Sequence, residues 1–138
     1  MTESFVRVNY SEVDPMGVAY HARYLVWLDV ARCEHLRSQG MSYAELERRG
    51  FRLAVSELRI RYRQPARYDD LVRVRCWVRE AVPRRVSFGY ALDLPERNLV
   101  AATAEVSLLC LAADFGLSRL PPDVLALLVT EPDPVRLF

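Results

Sequence analysis

The sequence contains no lysine, so all 19 of its basic side chains are arginine. They are set against 18 acidic residues, and the formal net charge is only +1. Binding to the phosphate backbone of nucleic acid needs an excess of positive charge, which this chain lacks. We therefore expect no nucleic-acid partner.

Long apolar runs are also missing. A bilayer span needs about 18 to 20 consecutive apolar residues, and Glu105 interrupts the longest candidate. Glu3 stands where a secretory signal would carry positive charge. We expect neither a membrane span nor export, and predict a cytoplasmic protein.

Cysteine is scarce. Cys33, Cys76 and Cys110 are widely spaced and odd in number, a pattern that fits neither a disulfide framework nor a zinc site. A reducing cytoplasm suits such cysteines. Glycine-rich phosphate loops are absent as well. The sequence therefore predicts neither a bound metal nor a cofactor.

What is present is a chain of 138 residues, 51% of them hydrophobic, which fits one domain spanning residues 1–138. Alternation of apolar and polar residues predicts five strands, at 6–10, 58–63, 71–79, 84–94 and 99–111. Along 71–79 the apolar face consists of Val72, Val74, Cys76 and Val78, and the opposite face of Arg73, Arg75, Trp77 and Arg79. We expect those three arginines to be solvated. Short connections among the last four strands favour antiparallel pairing.

One long helix is predicted at 22–38, ended by Gly40. Apolar side chains fall all the way round it, which is typical of a helix buried on most sides. A second helix is predicted at 42–48, with Ser42 and Glu45 as a capping box, and a peripheral one at 124–129. An α+β fold follows, in which a five-stranded antiparallel sheet wraps around one long buried helix. This arrangement resembles the hotdog fold.

The strongest chemical signal lies between the first strand and the long helix. Asp14 precedes Pro15 and Gly17, a sequence typical of a turn, so its carboxylate should lie near the helix start at His21. Unpaired backbone N–H groups at a helix start can bind an oxygen that becomes negative, and a facing carboxylate would complete an acyl-transfer site. Alternatively, Asp14 only stabilises the turn and the helix dipole. The residues alone favour this second interpretation.

A family resemblance changes that balance. The run Y-S-E-V-D-P-M-G-V-A-Y-H-A-R-Y-L-V-W-L-D-V-A-R-C-E-H-L-R resembles the opening signature of the 4-hydroxybenzoyl-CoA thioesterase branch of the hotdog superfamily, which includes the Tol-Pal-associated acyl-CoA thioesterases. R-I-R-Y-R-Q-P-A-R-Y-D-D-L-V-R-V and G-L-S-R-L-P extend the similarity over most of the chain. The resemblance implies that Asp14 is the catalytic carboxylate and that the His21 N–H polarises the thioester carbonyl. Glu12 and Arg23 depart from the usual Asp and Asn, and could reshape the acyl pocket.

Further site residues follow from the same alignment of motifs. The acyl site should be lined by Gly17, Val18, Tyr20, Tyr24 and Trp27. The phosphates of coenzyme A should contact Arg84, Arg85 and Ser87, with Arg59, Arg61 and Arg63 as a second choice, since arginine binds phosphate in a bidentate manner.

Other polar residues have plainer explanations. The His21 side chain is either a general base or a capping residue, with neither favoured. His35 is expected to be structural, Asp29 and Arg32 to form an ion pair, and Cys33 to lie in the core.

The sequence therefore predicts an acyl-CoA thioesterase in which Asp14 acts as nucleophile or as general base on water. The alternative is a non-catalytic hotdog module that binds an acyl-CoA or an acyl carrier. Unpaired sheet edges predict a homodimer, and the resemblance implies a site shared between the two chains and further association into a homotetramer.

Overall fold

The computed structural model describes residues 1–138 and has the predicted α+β architecture. One antiparallel sheet has the strand order β1-β3-β4-β5-β2. The elements in chain order are β1 (Thr2–Arg7), α1 (Arg23–Ser38), α2 (Tyr43–Arg48), β2 (Phe51–Tyr62), β3 (Leu71–Val82), β4 (Arg85–Leu94), β5 (Leu99–Ala112) and α3 (Pro122–Leu127). The predicted strands at 71–79, 84–94 and 99–111 are confirmed to within three residues at each end.

The core lies between the inner face of the sheet and α1. Val72, Val74, Cys76 and Val78 of β3 are fully buried, as their alternation predicts. Trp27, Leu28 and Ala31 of α1 belong to the same buried cluster. Burying one such apolar side chain contributes about 1.5–3 kcal/mol, so this layer is the main source of stability.

Helix α1 is not buried on most sides, contrary to the prediction. The sheet covers one side, whereas Leu25, Val26 and Val30 are 37%, 51% and 45% exposed. Cys33 on the same helix is half-buried, so its assignment to the core was wrong. The apolar residues of the helix therefore form two surfaces. The sheet of this chain buries one of them, and the other is exposed.

Strand β1 begins earlier than predicted and ends at Arg7. The alternation that extends to Tyr10 does not continue the strand, because Asn9 caps a 3-10 turn at Tyr10–Glu12. The Asn9 side chain accepts from the Ser11 N–H, and the Glu12 carboxylate accepts from the Asn9 N–H. Tyr10 is consequently 78% exposed.

Strand β2 begins at Phe51, seven residues before the predicted start at 58. Its pairing with β5 shifts between Val55 and Glu57, which marks a bulge. A bulge inserts one residue and reverses which positions face the core, so the alternation before it is out of phase with the alternation after it. Because of this phase change, the alternation predicts only the second half of the strand.

The outer face of the sheet is covered by residues 129–138, which we call the C-terminal strap. Trp77 lies on this face but is fully buried, packed with Ala91 and Leu137. A side chain at Gly89 would come within 2.5 Å of the Trp77 ring, so only glycine lets the indole cross β4 there.

The arginines of the outer face are not simply solvated. Arg73 and Arg75 both donate to the buried Asp93, at 3.1 and 2.8 Å. Arg79 donates to Asp133 of the strap at 2.9 Å and pairs with Glu105. The predicted solvated face is therefore an ion-pair layer partly closed by the strap.

Smaller elements follow the prediction with shifts of one or two residues. Ser42 accepts from the Glu45 N–H at 3.1 Å, so this half of the predicted capping box forms. Helix α3 covers Pro122–Leu127 rather than 124–129. No helix of the structure is both long and apolar enough to cross a bilayer.

Two predictions about α1 are confirmed. Asp29 and Arg32 form an ion pair. His35 is buried, and its Nδ1 lies 3.0 Å from the Thr2 hydroxyl, as a structural histidine would.

Candidate functional site

A cleft of about 270 Å³ lies where the loop after β1, the start of α1 and the end of β2 meet. Its lining residues are Asp14, Met16, Val18, Ala19, His21, Tyr24, Tyr62, Arg63, Gln64 and Pro65. The structure thus brings together four of the predicted site residues: Asp14, Val18, His21 and Tyr24. Gly17 lies beside them in the loop with φ of +78°, which makes glycine the favoured residue there.

The loop carrying Asp14 is a tight turn held by its own backbone. The Gly17 N–H donates to the Asp14 carbonyl and the Asp14 N–H donates to the Val18 carbonyl, both at 2.9 Å. Oδ1 of Asp14 accepts from the Met16 N–H at 2.8 Å. The second carboxylate oxygen, Oδ2, has no hydrogen-bond partner in the chain. Asp14 is half-buried and lines the cleft, with one carboxylate oxygen held by the loop and the other unpaired.

The start of α1 faces the same cleft with unpaired backbone donors. No side chain caps the helix, and Ala22 occupies the N-cap position. The N–H groups of His21 and Ala22 make no hydrogen bond in the chain, whereas the Arg23 N–H donates to the Tyr20 carbonyl. Such donors at a helix start are suited to bind an oxygen that gains negative charge. The His21 ring is exposed and contacts the Tyr20 ring at 4.5 Å between centroids, with the two planes tilted by 58°, and it has no carboxylate partner.

Two predicted aromatic residues do not line the cleft. Trp27 is only 2% exposed, and its indole N–H donates to Oε2 of Glu12 at 2.9 Å, so it supports the loop from beneath. Tyr20 is 46% exposed and lies outside the cleft, on His21. Glu12 also accepts from the Asn9 N–H at 2.8 Å. Its longer side chain therefore joins the loop to α1 rather than reshaping the pocket.

The opposite wall was missed in the sequence because it comes from the end of β2 and the residues that follow. The Tyr62 hydroxyl donates to the His21 carbonyl at 2.7 Å, which joins the sheet edge to the helix start. The Tyr24 and Tyr62 rings meet edge to face at 5.1 Å. Burial raises the pKa of both phenols above the usual value of 10.0, so they are neutral donors at neutral pH.

Arg63 was only a second choice for phosphate contact, yet it lines the cleft. Its Nη2 donates to the carbonyls of Arg136 and Leu137 in the strap, at 3.1 and 3.2 Å. Arg59, another second choice, lies over the Phe138 ring at 3.9 Å. Both residues contact the strap; the third, Arg61, is exposed on β2.

The residues expected to contact coenzyme A do not line this cleft. Arg84 is exposed at the β3–β4 turn and forms no ion pair. Arg85 pairs with Glu80 at 2.8 Å. Ser87 is buried, with its hydroxyl 2.8 Å from that of Ser107.

The arrangement has the parts of an acyl-transfer site. A carboxylate oxygen without a partner and a helix start with unpaired N–H groups border one cleft, whose walls are mostly aromatic or apolar. A carboxylate can attack a carbonyl or activate water, and backbone donors can stabilise the resulting oxyanion. No group of three or more His, Cys, Asp or Glu side chains is placed to hold a metal ion.

Comparisons with known proteins agree with this chemistry. The pattern of the thioesterase-like superfamily matches residues 8–128. The acyl-CoA thioesterase YbgC of Haemophilus influenzae is 36% identical over 103 residues, 74% of this chain and 76% of that protein. The putative acyl-CoA thioesterase YneP of Bacillus subtilis is 32% identical over 94 residues, 68% of each chain.

A solved structure, the hypothetical protein TT1821 from Thermus thermophilus, superposes with a TM-score of 0.88 at 31% identity, covering 93% of this chain and 97% of that one. These findings support the predicted hotdog architecture and thioester hydrolase class. The narrower 4-hydroxybenzoyl-CoA or Tol-Pal branch stays a prediction. Since the superfamily pattern covers most of the sequence and the relatives match over two thirds or more, the chain belongs to the thioesterase-like superfamily.

Proposed function

We propose that this chain hydrolyses the thioester of an acyl-CoA to a free acid and coenzyme A, with Asp14 as the reacting carboxylate. The relatives named above as acyl-CoA thioesterases support the reaction type. The cleft supports the residue assignment, because Asp14 is the only carboxylate that lines it. Coenzyme A enters as part of the substrate, and the proposal invokes no further cofactor.

The thioester carbonyl would lie between Asp14 and the start of α1. Its oxygen would accept from the unpaired N–H of His21, which stabilises the negative charge that develops on attack. Oδ2 of Asp14 acts on the carbonyl carbon, either directly to form a mixed anhydride or through a water molecule. In the direct route the thiol of coenzyme A leaves as the anhydride forms, and a water molecule then hydrolyses the anhydride to the free acid and regenerates Asp14. In the second route the activated water displaces the thiol and gives the free acid in one step. The acyl group would contact Val18, Tyr24 and Tyr62.

One observation carries the proposal: the two oxygens of Asp14 differ. Oδ1 accepts from the Met16 N–H at 2.8 Å, whereas Oδ2 has no hydrogen-bond partner in the chain, and Asp14 lines the cleft. A carboxylate that merely stabilised the turn would need only the first contact. The free oxygen in a cleft that also contains unpaired helix N–H groups favours a catalytic role.

Turnover of a panel of acyl-CoA thioesters tests the proposal. Wild-type protein should hydrolyse at least one member, and Asp14→Asn should lower kcat at least ~100-fold, the usual scale for loss of a base or nucleophile. Asp69→Asn is the matched control, because Asp69 is exposed in a left-handed turn position that asparagine also tolerates. Kcat of Asp14→Asn within a few-fold of wild type would reject the mechanism.

We further propose that the active species is at least a homodimer joined through the β2 edge. Val55 and Leu58 of β2 are 56% and 37% exposed, and they border a groove with the exposed Leu25 of α1. An exposed strand edge pairs readily with a second chain. Pairing about a two-fold axis would cover the apolar groove of each chain at the same time. The cleft lies at the Tyr62 end of the same strand, so the partner would stand beside it. Association into a tetramer stays a prediction.

A further inference from the structure

The C-terminal strap reaches from the middle of the sheet to the wall of the cleft. At its start, the Glu131 N–H donates to the Val78 carbonyl of β3 at 2.9 Å. Asp133 then accepts from the Trp77 indole, also at 2.9 Å. At its far end the Thr103 hydroxyl of β5 donates to the Leu137 carbonyl at 2.5 Å. The strap therefore spans strands β3, β4 and β5 before it meets Arg63.

Arg63 is where the strap and the cleft join. Its Nη2 donates to both the Arg136 and Leu137 carbonyls, and its Nε and Nη2 lie 3.4 and 3.3 Å from the Thr103 hydroxyl. Its Nη1 has no hydrogen-bond partner in the chain. Arginine has five N–H donors in a rigid fork, so a guanidinium held on one side can still donate from the other.

The same residue belongs to the segment that forms the cleft wall. Tyr62 before it bonds to the His21 carbonyl, and Ala66 after it accepts from the Ala19 N–H at 2.7 Å. Arg63 is the only positively charged side chain among the lining residues apart from the titratable His21. Its guanidinium is held by the two strap carbonyls and by the Thr103 hydroxyl of β5.

We propose that Arg63 is a substrate-positioning residue and that the C-terminal strap acts on the cleft through it. The strap carbonyls hold one side of the guanidinium, and the two free Nη1 hydrogens donate to an oxygen of the bound acyl-CoA. The inference rests on the proposed thioesterase function and adds to it a role for a segment on the opposite face of the sheet. A strap that only shields Trp77 from water would have no such effect on substrate binding.

A double-mutant cycle tests the coupling. Arg63→Met removes the guanidinium, and deletion of residues 136–138 removes the two carbonyls that hold it. Each change should raise KM about tenfold with kcat changed no more than about threefold, because a charge-assisted contact to a remote part of the substrate contributes uniform binding. The combined variant should be no worse than either single one, since both changes remove the same contact.

Controls separate coupling from loss of folding and from failure of the proposed function. Thr103→Val leaves the strap in the chain but removes the hydroxyl that bonds to the Leu137 carbonyl and accepts from Arg63, so it should also raise KM. Arg48→Met, on a surface helix and paired only with Glu45, should leave KM unchanged. Circular dichroism melting identifies variants that do not fold, and Thr103→Val then carries the test.

Binding of a non-hydrolysable acyl-CoA thioether, measured by titration calorimetry, gives a readout that does not need turnover. Weaker binding in both single variants with no further loss in the double variant would support the coupling. The coupling would be overturned if the affinity losses of the two single variants multiplied in the double variant. Unchanged KM and Kd in Arg63→Met would also overturn it. Wild-type protein that binds the thioether but hydrolyses no thioester would instead reject the proposed function alone.

Discussion

At the residue scale, Asp14 and the arginines of the β3–β4 turn carry separate parts of the proposed function. Asp14 lies in the cleft with one free oxygen, whereas Arg84 and Arg85 are remote from it within the chain. We propose that these arginines contribute to the affinity for coenzyme A and not to the chemical step.

This assignment predicts the kinetics of the double variant Arg84→Ala with Arg85→Ala. KM for acyl-CoA should rise several-fold or more, with kcat little changed, because contacts to the phosphates are made equally in ground and transition states. Steady-state kinetics at several salt concentrations check it, since phosphate contacts weaken with salt. An unchanged KM would mean that other arginines hold the nucleotide.

A second prediction at the residue scale concerns His35 and the pH dependence of stability. Burial lowers the pKa of its imidazole below the usual 6.5, so the folded protein keeps it neutral while the unfolded chain takes up a proton. As the pH falls below the unfolded pKa, the unfolded state binds more protons and the free energy of unfolding decreases.

Urea unfolding between about pH 5 and pH 7.5 measures this effect. His35→Leu, which has a similar apolar bulk and no titrating group, should lack that part of the pH dependence. If the free energy of unfolding of His35→Leu falls with pH as steeply as that of wild type, other groups cause the acid sensitivity.

At the scale of elements, the parts of the site that are adjacent in sequence were predictable and the distant parts were not. Asp14, Val18, His21 and Tyr24 fall within one turn and the helix that follows, so local turn and helix signals place them together. Residues 62–65 reach the cleft only because β2 pairs with β5 at the sheet edge. No local pattern encodes that pairing, and the bulge after Val55 obscures the first half of the strand.

Side-chain packing explains two further differences from the sequence-based prediction. Trp77 alternates with arginines and so was assigned to a solvated face, yet the strap buries it. Trp27 was expected at the substrate, but its indole N–H is satisfied by Glu12. Both depend on partners more than ten residues away, which periodicity cannot reveal.

Gly89 provides a stability prediction for the outer layer. The Cβ of Gly89→Ala would lie 2.5 Å from the Trp77 ring, so the indole must move and disturb its contact with Leu137. Overpacking of this kind costs about 1–3 kcal/mol. Thermal or urea unfolding measures it. Gly116→Ala is a milder control, because its Cβ contact is to an exposed aspartate at 3.1 Å; equal stability of Gly89→Ala and wild type would contradict the packing argument.

At the scale of the whole molecule, exposed apolar residues of α1 and the free β2 edge support the dimer proposed above. Leu25 of α1 borders a groove with Val55 and Leu58 of β2, and Val26 and Val30 are exposed on the same helix. The strap covers part of the opposite face of the sheet, around Trp77.

Leu58→Arg tests the dimer. A charge at this edge position should oppose pairing of two β2 strands and produce a monomer that no longer hydrolyses acyl-CoA. Leu117→Arg is the control, because Leu117 is 67% exposed in a loop outside β2. Light scattering combined with an activity assay measures both properties, and dilution of wild type to monomer should likewise abolish turnover. A monomer that still turns over acyl-CoA would contradict both the shared site and the edge pairing.

The most direct test of the central claim is to measure binding and hydrolysis of the same acyl-CoA by Asp14→Asn. The account predicts that this variant binds the substrate with a Kd close to the wild-type KM while its single-turnover hydrolysis rate falls at least ~100-fold. Equal hydrolysis rates in the two proteins would contradict the assignment of Asp14. Binding without hydrolysis in both would contradict the enzymatic function and leave a module that only binds acyl-CoA.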